Sequence, residues 1–317
     1  MHSRLIPRVC AVLVCLALAG CGEEATLPVS AGMGPNPELP PPAQTTFPTV
    51  VLAKATGWPD DKTPQAAAGL TVNAFATGLD HPRMLYVLPN GDVLVAEAAA
   101  PPQPGLSEGI MGRLMKLGMW WAGAGVESPN RITLLRDADG DGVAETRTAF
   151  LTGLNSPFGM ALVDDDFYVA NTDGVVRFPY RHGDTTISAK GEPVADLPAG
   201  PLNIHWVKNI LASADGRKLY ASVGSNSNIG ERGFETESGR AAIHEIDVGS
   251  RESRIFASGL RNPVGMAIQP DSGRLWTVVN ERDELGSDLV PDYMTSVQEN
   301  GFYGWPYSYF GDHIDTQ

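Results

Sequence analysis

An arginine and an asparagine stand side by side in Gly259-Leu260-Arg261-Asn262-Pro263, at the entry to an apolar run with strand pattern. A guanidinium beside a carboxamide offers a fixed positive charge and several N–H donors to an anionic or carbonyl-bearing ligand. The run leads into a carboxylate-rich loop, Asn280-Glu281-Arg282-Asp283-Glu284, and then into the aromatic turn Gly301-Phe302-Tyr303-Gly304-Trp305-Pro306. A buried anionic cofactor and a hard cation would both find partners in such a segment. An active site is the better expectation than a plain scaffold.

A second acidic motif is Asp137-Ala138-Asp139-Gly140-Asp141-Gly142-Val143-Ala144-Glu145. Asp137, Asp139, Asp141 and Glu145 stand at positions 1, 3, 5 and 9 of a calcium loop, with glycine at position 6. Position 12 is Thr148 rather than the bidentate Glu of an EF-hand, and the flanks read as strands. Two readings stay open, a structural calcium turn and an Asp-Gly hairpin.

The elements that must position these groups are short strands. Val93–Ala96, Phe167–Ala170, Leu219–Val223 and Leu275–Val279 are β-rich runs separated by turns such as Asn90-Gly91-Asp92 and Asp215-Gly216. One frame recurs in Gly78-Leu79-Asp80-His81-Pro82, Gly153-Leu154-Asn155-Ser156-Pro157 and Gly259–Pro263, with a degenerate copy over 197–215. Repeats built of four short strands predict an all-β chain folded as a β-propeller. The segment Met111–Trp121 is patterned as a short amphipathic helix. It reads either as a helix packed on the propeller rim or as a lid or membrane-resting patch.

The ends and the composition bound the context. Arg4 and Arg8 followed by an apolar run over 9–19 form a signal peptide, too short to span a bilayer, which takes about 20 residues. It closes in Leu18-Ala19-Gly20-Cys21, which resembles a bacterial lipobox with Cys21 as the lipidated residue. The expected division is a signal over 1–20, a disordered Pro-rich tether over 21–48, and the propeller over 49–317. All three cysteines fall in the signal region, which excludes thiol catalysis and thiolate metal sites in the mature domain. A net charge of −14 leaves no electrostatic footprint for nucleic acid or anionic lipid, so the expected membrane contact is through the lipid anchor only. The expected location is the cell envelope, lipid-anchored, on the periplasmic side of the outer membrane.

The Gly259–Ala267 and Gly301–Pro306 motifs resemble those of soluble quinoprotein sugar dehydrogenases, and the L-sorbosone dehydrogenase-like branch most of all. Thr77–Arg83, Ala55–Pro59 and His205-Trp206-Val207-Lys208-Asn209 running into Tyr220–Ser225 carry the same resemblance, over roughly 50–317. The resemblance implies a six-bladed propeller that binds pyrroloquinoline quinone (PQQ) and calcium and oxidises a sugar or sugar aldehyde. It implies His205 as general base, an imidazole that can take a hydroxyl proton near neutral pH. Arg261 and Asn262 match the pair that hydrogen-bonds the quinone oxygens, and a cation there stabilises the charge that develops. Calcium ligands are expected among Asp288, Asp292, the backbone around Glu281 and the Tyr303 carbonyl.

Where the glucose-oxidising members carry an acidic residue just before the base, this chain has Ile204, so the resemblance does not fix the substrate. A periplasmic or membrane electron acceptor is implied. The chain ends within the repeat pattern, and the expectation is a fragment or truncated copy with the quinone carboxylate ligands beyond residue 317. The competing readings are a calcium-dependent propeller lactonase or esterase, and a non-catalytic binding propeller of the envelope.

Overall fold

A computed structural model describes residues 25–43, 53–59, 62–104 and 109–316, so the signal segment and Cys21 lie outside the described residues. The chain forms two compact units. In the first, residues 25–43 carry a 3-10 turn at Val29–Gly32 and hydrogen-bond with the segment Glu281–Pro291. Asp288 accepts from the amide and hydroxyl of Thr26, at 2.7 and 2.9 Å, and Ala43 N donates to Leu285 O.

The second unit, Ala53–Asn280 and Asp292–Gln317, is built of antiparallel sheets that follow the chain. The first contains β1 (Pro82–Val87), β2 (Val93–Glu97), β3 (Arg131–Arg136) and β4 (Thr146–Leu151). The second contains β5 (Met160–Val163), β6 (Asp166–Asn171), β7 (Gly174–Pro179) and β8 (Glu192–Asp196). The third contains β9 (Ile210–Ala212), β10 (Lys218–Val223), β11 (Ala242–Asp247) and β12 (Ser253–Ser258). A three-stranded fourth sheet contains β13 (Asn262–Ile268), β14 (Leu275–Asn280) and β15 (Tyr293–Val297), and β16 (Ser308–Tyr309) pairs with β17 (His313–Ile314) in a hairpin.

These are the blades of an all-β propeller, and the expected number is corrected: the described residues form four blades, not six. Four meandering sheets use up the chain from Pro82 to Val297. The recurring frame marks the entry to a blade. Its glycines Gly78, Gly153 and Gly259 all take positive φ, at 65, 69 and 74°. One helix, α1 (Gly109–Trp121), lies in the connection from β2 to β3 and begins two residues before the expected Met111.

Blade strands are apolar on both faces, and successive side chains point to opposite sides. In β6, Phe167 and Val169 enter the core shared with the first blade, while Tyr168 and Ala170 enter the core shared with the third. Phe167 meets Phe150 edge-on with ring centroids 5.5 Å apart. A third core joins Ile243, Phe256 and Leu260 to Leu275, Val279 and Val297 of the fourth blade.

Among the buried charges of this frame, Glu97 and Lys208 are the most strongly shifted. Burial would raise the Glu97 carboxyl, but bonds from Arg131, from the Thr133 hydroxyl and from the Asp80 amide hold it at about 2. Arg131 Nε and Nη2 donate to it at 2.7 and 2.9 Å. Lys208 is buried, and desolvation, with the like charge of Arg240 adding, lowers its ammonium to about 7.

These shifts have opposite consequences. Glu97 contributes stability that is full above its unfolded value of 4.5 and lost as pH falls towards 2. Glu97→Ala is expected to cost about 2 kcal/mol at neutral pH, and Glu97→Gln to flatten the acid decline in melting temperature. Between about 7 and 10.5 the unfolded chain keeps a proton that folded Lys208 releases, so this group makes stability rise with pH. In melts across that range, Lys208→Met is expected to remove this rise.

Candidate functional site

Of the sequence-predicted residues, His205, Arg261 and Asn262 come together where the third and fourth blades meet. His205 stands in the segment that enters β9, and many bonds hold that segment. Asn203 exchanges bonds with Gln103, donates to Thr172 Oγ1 and accepts from Arg240. Thr172 Oγ1 donates to Trp206 O, and the Arg83 guanidinium lies 5.4 Å from the Trp206 ring. From below, Lys208 Nζ donates to the His205 carbonyl at 3.0 Å.

His205 Nδ1 lies 2.8 Å from the Ser225 carbonyl oxygen and 3.1 Å from its hydroxyl. A carbonyl only accepts, so Nδ1 carries the proton and Nε2 is the basic nitrogen of the neutral ring. Ser225 also donates its amide to the Arg261 carbonyl at 2.7 Å, which ties the histidine loop to the arginine strand.

Gly224 shows how closely the parts approach. A Cβ there would lie 2.3 Å from Asn262 Oδ1 and 2.5 Å from His205 Cβ. Only a residue without a side chain lets the histidine and the asparagine meet over this strand end.

Arg261 is buried, and Asn228 orients it: Nε donates to the Asn228 carbonyl at 3.2 Å and Nη2 to its side-chain oxygen at 2.9 Å. The same carbonyl accepts from Trp305 Nε1 at 2.8 Å. The aromatic turn therefore seats on the arginine's anchor. It also packs on the blade entry, where a Cβ at Gly259 would lie 2.8 Å from the amides of Tyr303 and Gly304. Tyr303 donates its hydroxyl to Ser296 O.

Asn262 Nδ2 donates to Asn280 Oδ1 at 3.3 Å, and Asn280 Nδ2 to Asp292 Oδ2 at 2.8 Å. The expected cation ligand Asp292 is thus linked to Asn262 through Asn280. Glu281 and Asp288 fall in the other unit, where Glu281 accepts from the Arg282 amide. The Thr26 amide, first among its partners, holds the Asp288 carboxyl below the usual carboxylate range.

Asp137, Asp139, Asp141 and Glu145 do converge, with ligand oxygens all within 4.8 Å of one another, in the β3–β4 turn. Asp137 also accepts from the Gly140 and Gly142 amides, and Glu145 from Ala138.

Ser225, Asn228 and Asn280 were not singled out by sequence reasoning, although they hold His205, Arg261 and Asp292. The available signal was the polar run Ser225-Asn226-Ser227-Asn228 directly after an apolar strand. Chemically, the cluster brings a histidine with a basic Nε2 and a carboxamide together over Gly224, on a segment tied to the main chain of a buried arginine. It suits proton removal from a hydroxyl next to a group that accepts negative charge.

A pyrroloquinoline quinone-dependent sugar dehydrogenase of Hypocrea jecorina (strain QM6a) is 23% identical over 276 residues, which are 78% of this chain and 57% of that protein. The chain spans about half the length of the curated relatives it matches. The iodide structure of a Trichoderma reesei carbohydrate-active enzyme of family AA12 superposes with a TM-score of 0.58 at 19% identity, covering 83% of this chain and 66% of the other. The PQQ-bound aldose sugar dehydrogenase of Streptomyces coelicolor gives 0.50 at 20% identity, with 78% and 70% covered. Both likenesses are of fold. Residues 127–301, more than half of the sequence, match the family described as TrAA12-like, and the chain belongs to that family.

Proposed function

We propose that this chain binds PQQ at the junction of the third and fourth blades and takes part in oxidising a sugar or sugar aldehyde. The observation that carries the reading is the meeting of His205 and Asn262 over Gly224, with Arg261 fixed beside them by Asn228. The donor set fits the cofactor, since a buried guanidinium and a carboxamide suit an anionic, carbonyl-rich ring. PQQ, when bound, supplies the two-electron acceptor. His205 Nε2 takes the substrate hydroxyl proton, and its Nδ1–H bond to Ser225 keeps the ring in the tautomer that can do so. Arg261 and Asn262 hold the acceptor and offset the charge it gains. The PQQ-dependent sugar dehydrogenase of H. jecorina and the PQQ-bound aldose sugar dehydrogenase of S. coelicolor support the sugar class.

Calcium is part of the proposal. Asp292 and the Tyr303 carbonyl are the ligands offered within the propeller unit, and the Asp137–Glu145 turn is a separate structural site. Six blades in the intact protein, lipidation at Cys21, and an envelope location with a membrane or periplasmic electron acceptor complete the reading.

The full-length gene product titrated with PQQ and calcium is expected to show saturable change in quinone absorbance. Aldoses or aldehydes should then bleach a dye acceptor, with kcat falling about 1,000-fold in His205→Ala. A folded protein that binds no PQQ would sink the proposal. Chelation should abolish turnover in the loaded enzyme, and Asp139→Asn with Asp141→Asn should lower the melting temperature in calcium without changing kcat.

A further inference from the structure

Lys208 is completely buried, and among the described residues no carboxylate pairs with its ammonium. The charges that bear on it are positive. Arg240 opposes it from the turn before β11, and Lys208 in turn disfavours the charged form of His244 within β11. Glu237 acts on Arg240 instead. A buried ammonium without a counter-charge is costly, and such groups gather at functional sites.

Its acceptor is the His205 carbonyl, and the bond is made from an anchored stretch of chain. The Lys208 carbonyl accepts from Gly159 N at 3.0 Å, and a Cβ at Gly159 would lie 2.3 Å from Ile210 N, so the second blade grips the chain here. Asn209 accepts no slack either: its amide donates to Ser222 Oγ and its Nδ2 to Val264 O at 2.9 Å, in the third and fourth blades. None of these three partners is charged; on the rest of the segment Arg83 lies over Trp206 and Arg240 donates to Asn203. From this fixed point the Lys208 side chain folds back three residues and holds the histidine's own main chain. Nδ1 on the Ser225 carbonyl holds the ring from its other end.

We propose that Lys208 is a positioning residue for His205, its ammonium clamping the histidine main chain so that the ring keeps Nδ1 on Ser225 and Nε2 free to take a proton. The inference rests on His205 being the base of the proposed reaction. A charge-assisted bond is roughly twice as strong as a neutral one, so the clamp loosens when the ammonium loses its proton. That loss falls at about 7, because burial and then Arg240 disfavour the charge. Activity therefore gains an acid limb from the imidazole and an alkaline limb from Lys208.

The test follows the His205 ring nitrogens by NMR in the full-length gene product without PQQ, with the signals identified by their loss in His205→Gln. In the unmutated protein the neutral ring is expected as the Nδ1–H tautomer near pH 7, giving way to a mixture of tautomers by about pH 9. Lys208→Met should show the mixture throughout, and Lys208→Arg, whose charge persists, should keep the single tautomer. In the PQQ-loaded enzyme, Lys208→Met should lower kcat about tenfold with KM unchanged, and Lys208→Arg should lose the alkaline limb. A tautomer that changes neither with pH in the unmutated protein nor in Lys208→Met would overturn the inference, as would an alkaline limb that persists in Lys208→Arg. The expected tautomer changes in a protein that binds no PQQ would support the clamp and overturn the dehydrogenase reading alone.

Discussion

The structure depends on strands that are apolar on both faces. A sheet whose second strand carries Phe167 and Val169 on one side and Tyr168 and Ala170 on the other cannot stand alone in water. Each such sheet must be covered twice, and the neighbouring blades provide the covers. The short strands, the tight turns and the left-handed glycines at blade entries all follow from stacking one small sheet against the next. Charges enter this stack only when satisfied, as Glu97 is by Arg131, Thr133 and the Asp80 amide.

The candidate site inherits its closeness from that stacking. Where the third and fourth blades pack, the strand end at Gly224 and the strand start at Asn262 approach until no Cβ fits between them. Backbone groups then do much of the positioning. The Ser225 carbonyl selects the histidine tautomer, its amide ties to Arg261, and one Asn228 carbonyl serves both Arg261 and Trp305. Functional side chains from three separate stretches are thereby fixed by a few main-chain atoms.

Much of this was legible in the sequence, for a physical reason. The four runs that read as strands, around Val95, Val169, Ala221 and Thr277, lie in β2, β6, β10 and β14, the second strand of each blade. Those strands are largely buried and rich in apolar residues. Outer strands such as β8 and β12 expose about half of their residues and carry a weaker signal. In the site, Arg261 and Asn262 stood out because their chemistry is unusual at a strand entry, and His205 through the resemblance to the quinoprotein family. Asn228, Asn280 and Ser225 did not, because a polar residue in a turn looks the same whether it anchors a guanidinium or faces solvent. Nor does nearness in sequence reveal convergence. Asp288 and Asp292 are four positions apart, yet one caps Thr26 and the other accepts from Asn280.

The serial arrangement of the cores bears on how such a chain can change over generations. A repacking of Phe150 against Phe167 disturbs the first two blades, while Ile243, Leu260 and Val279 belong to a different core. Change in the first core reaches the geometry at Gly224 only through the second core and the few bonds that Gln103, Thr172 and Arg83 make to the histidine segment. Sequences built this way can diverge blade by blade, and tolerance to mutation becomes a local property rather than one shared by the whole chain.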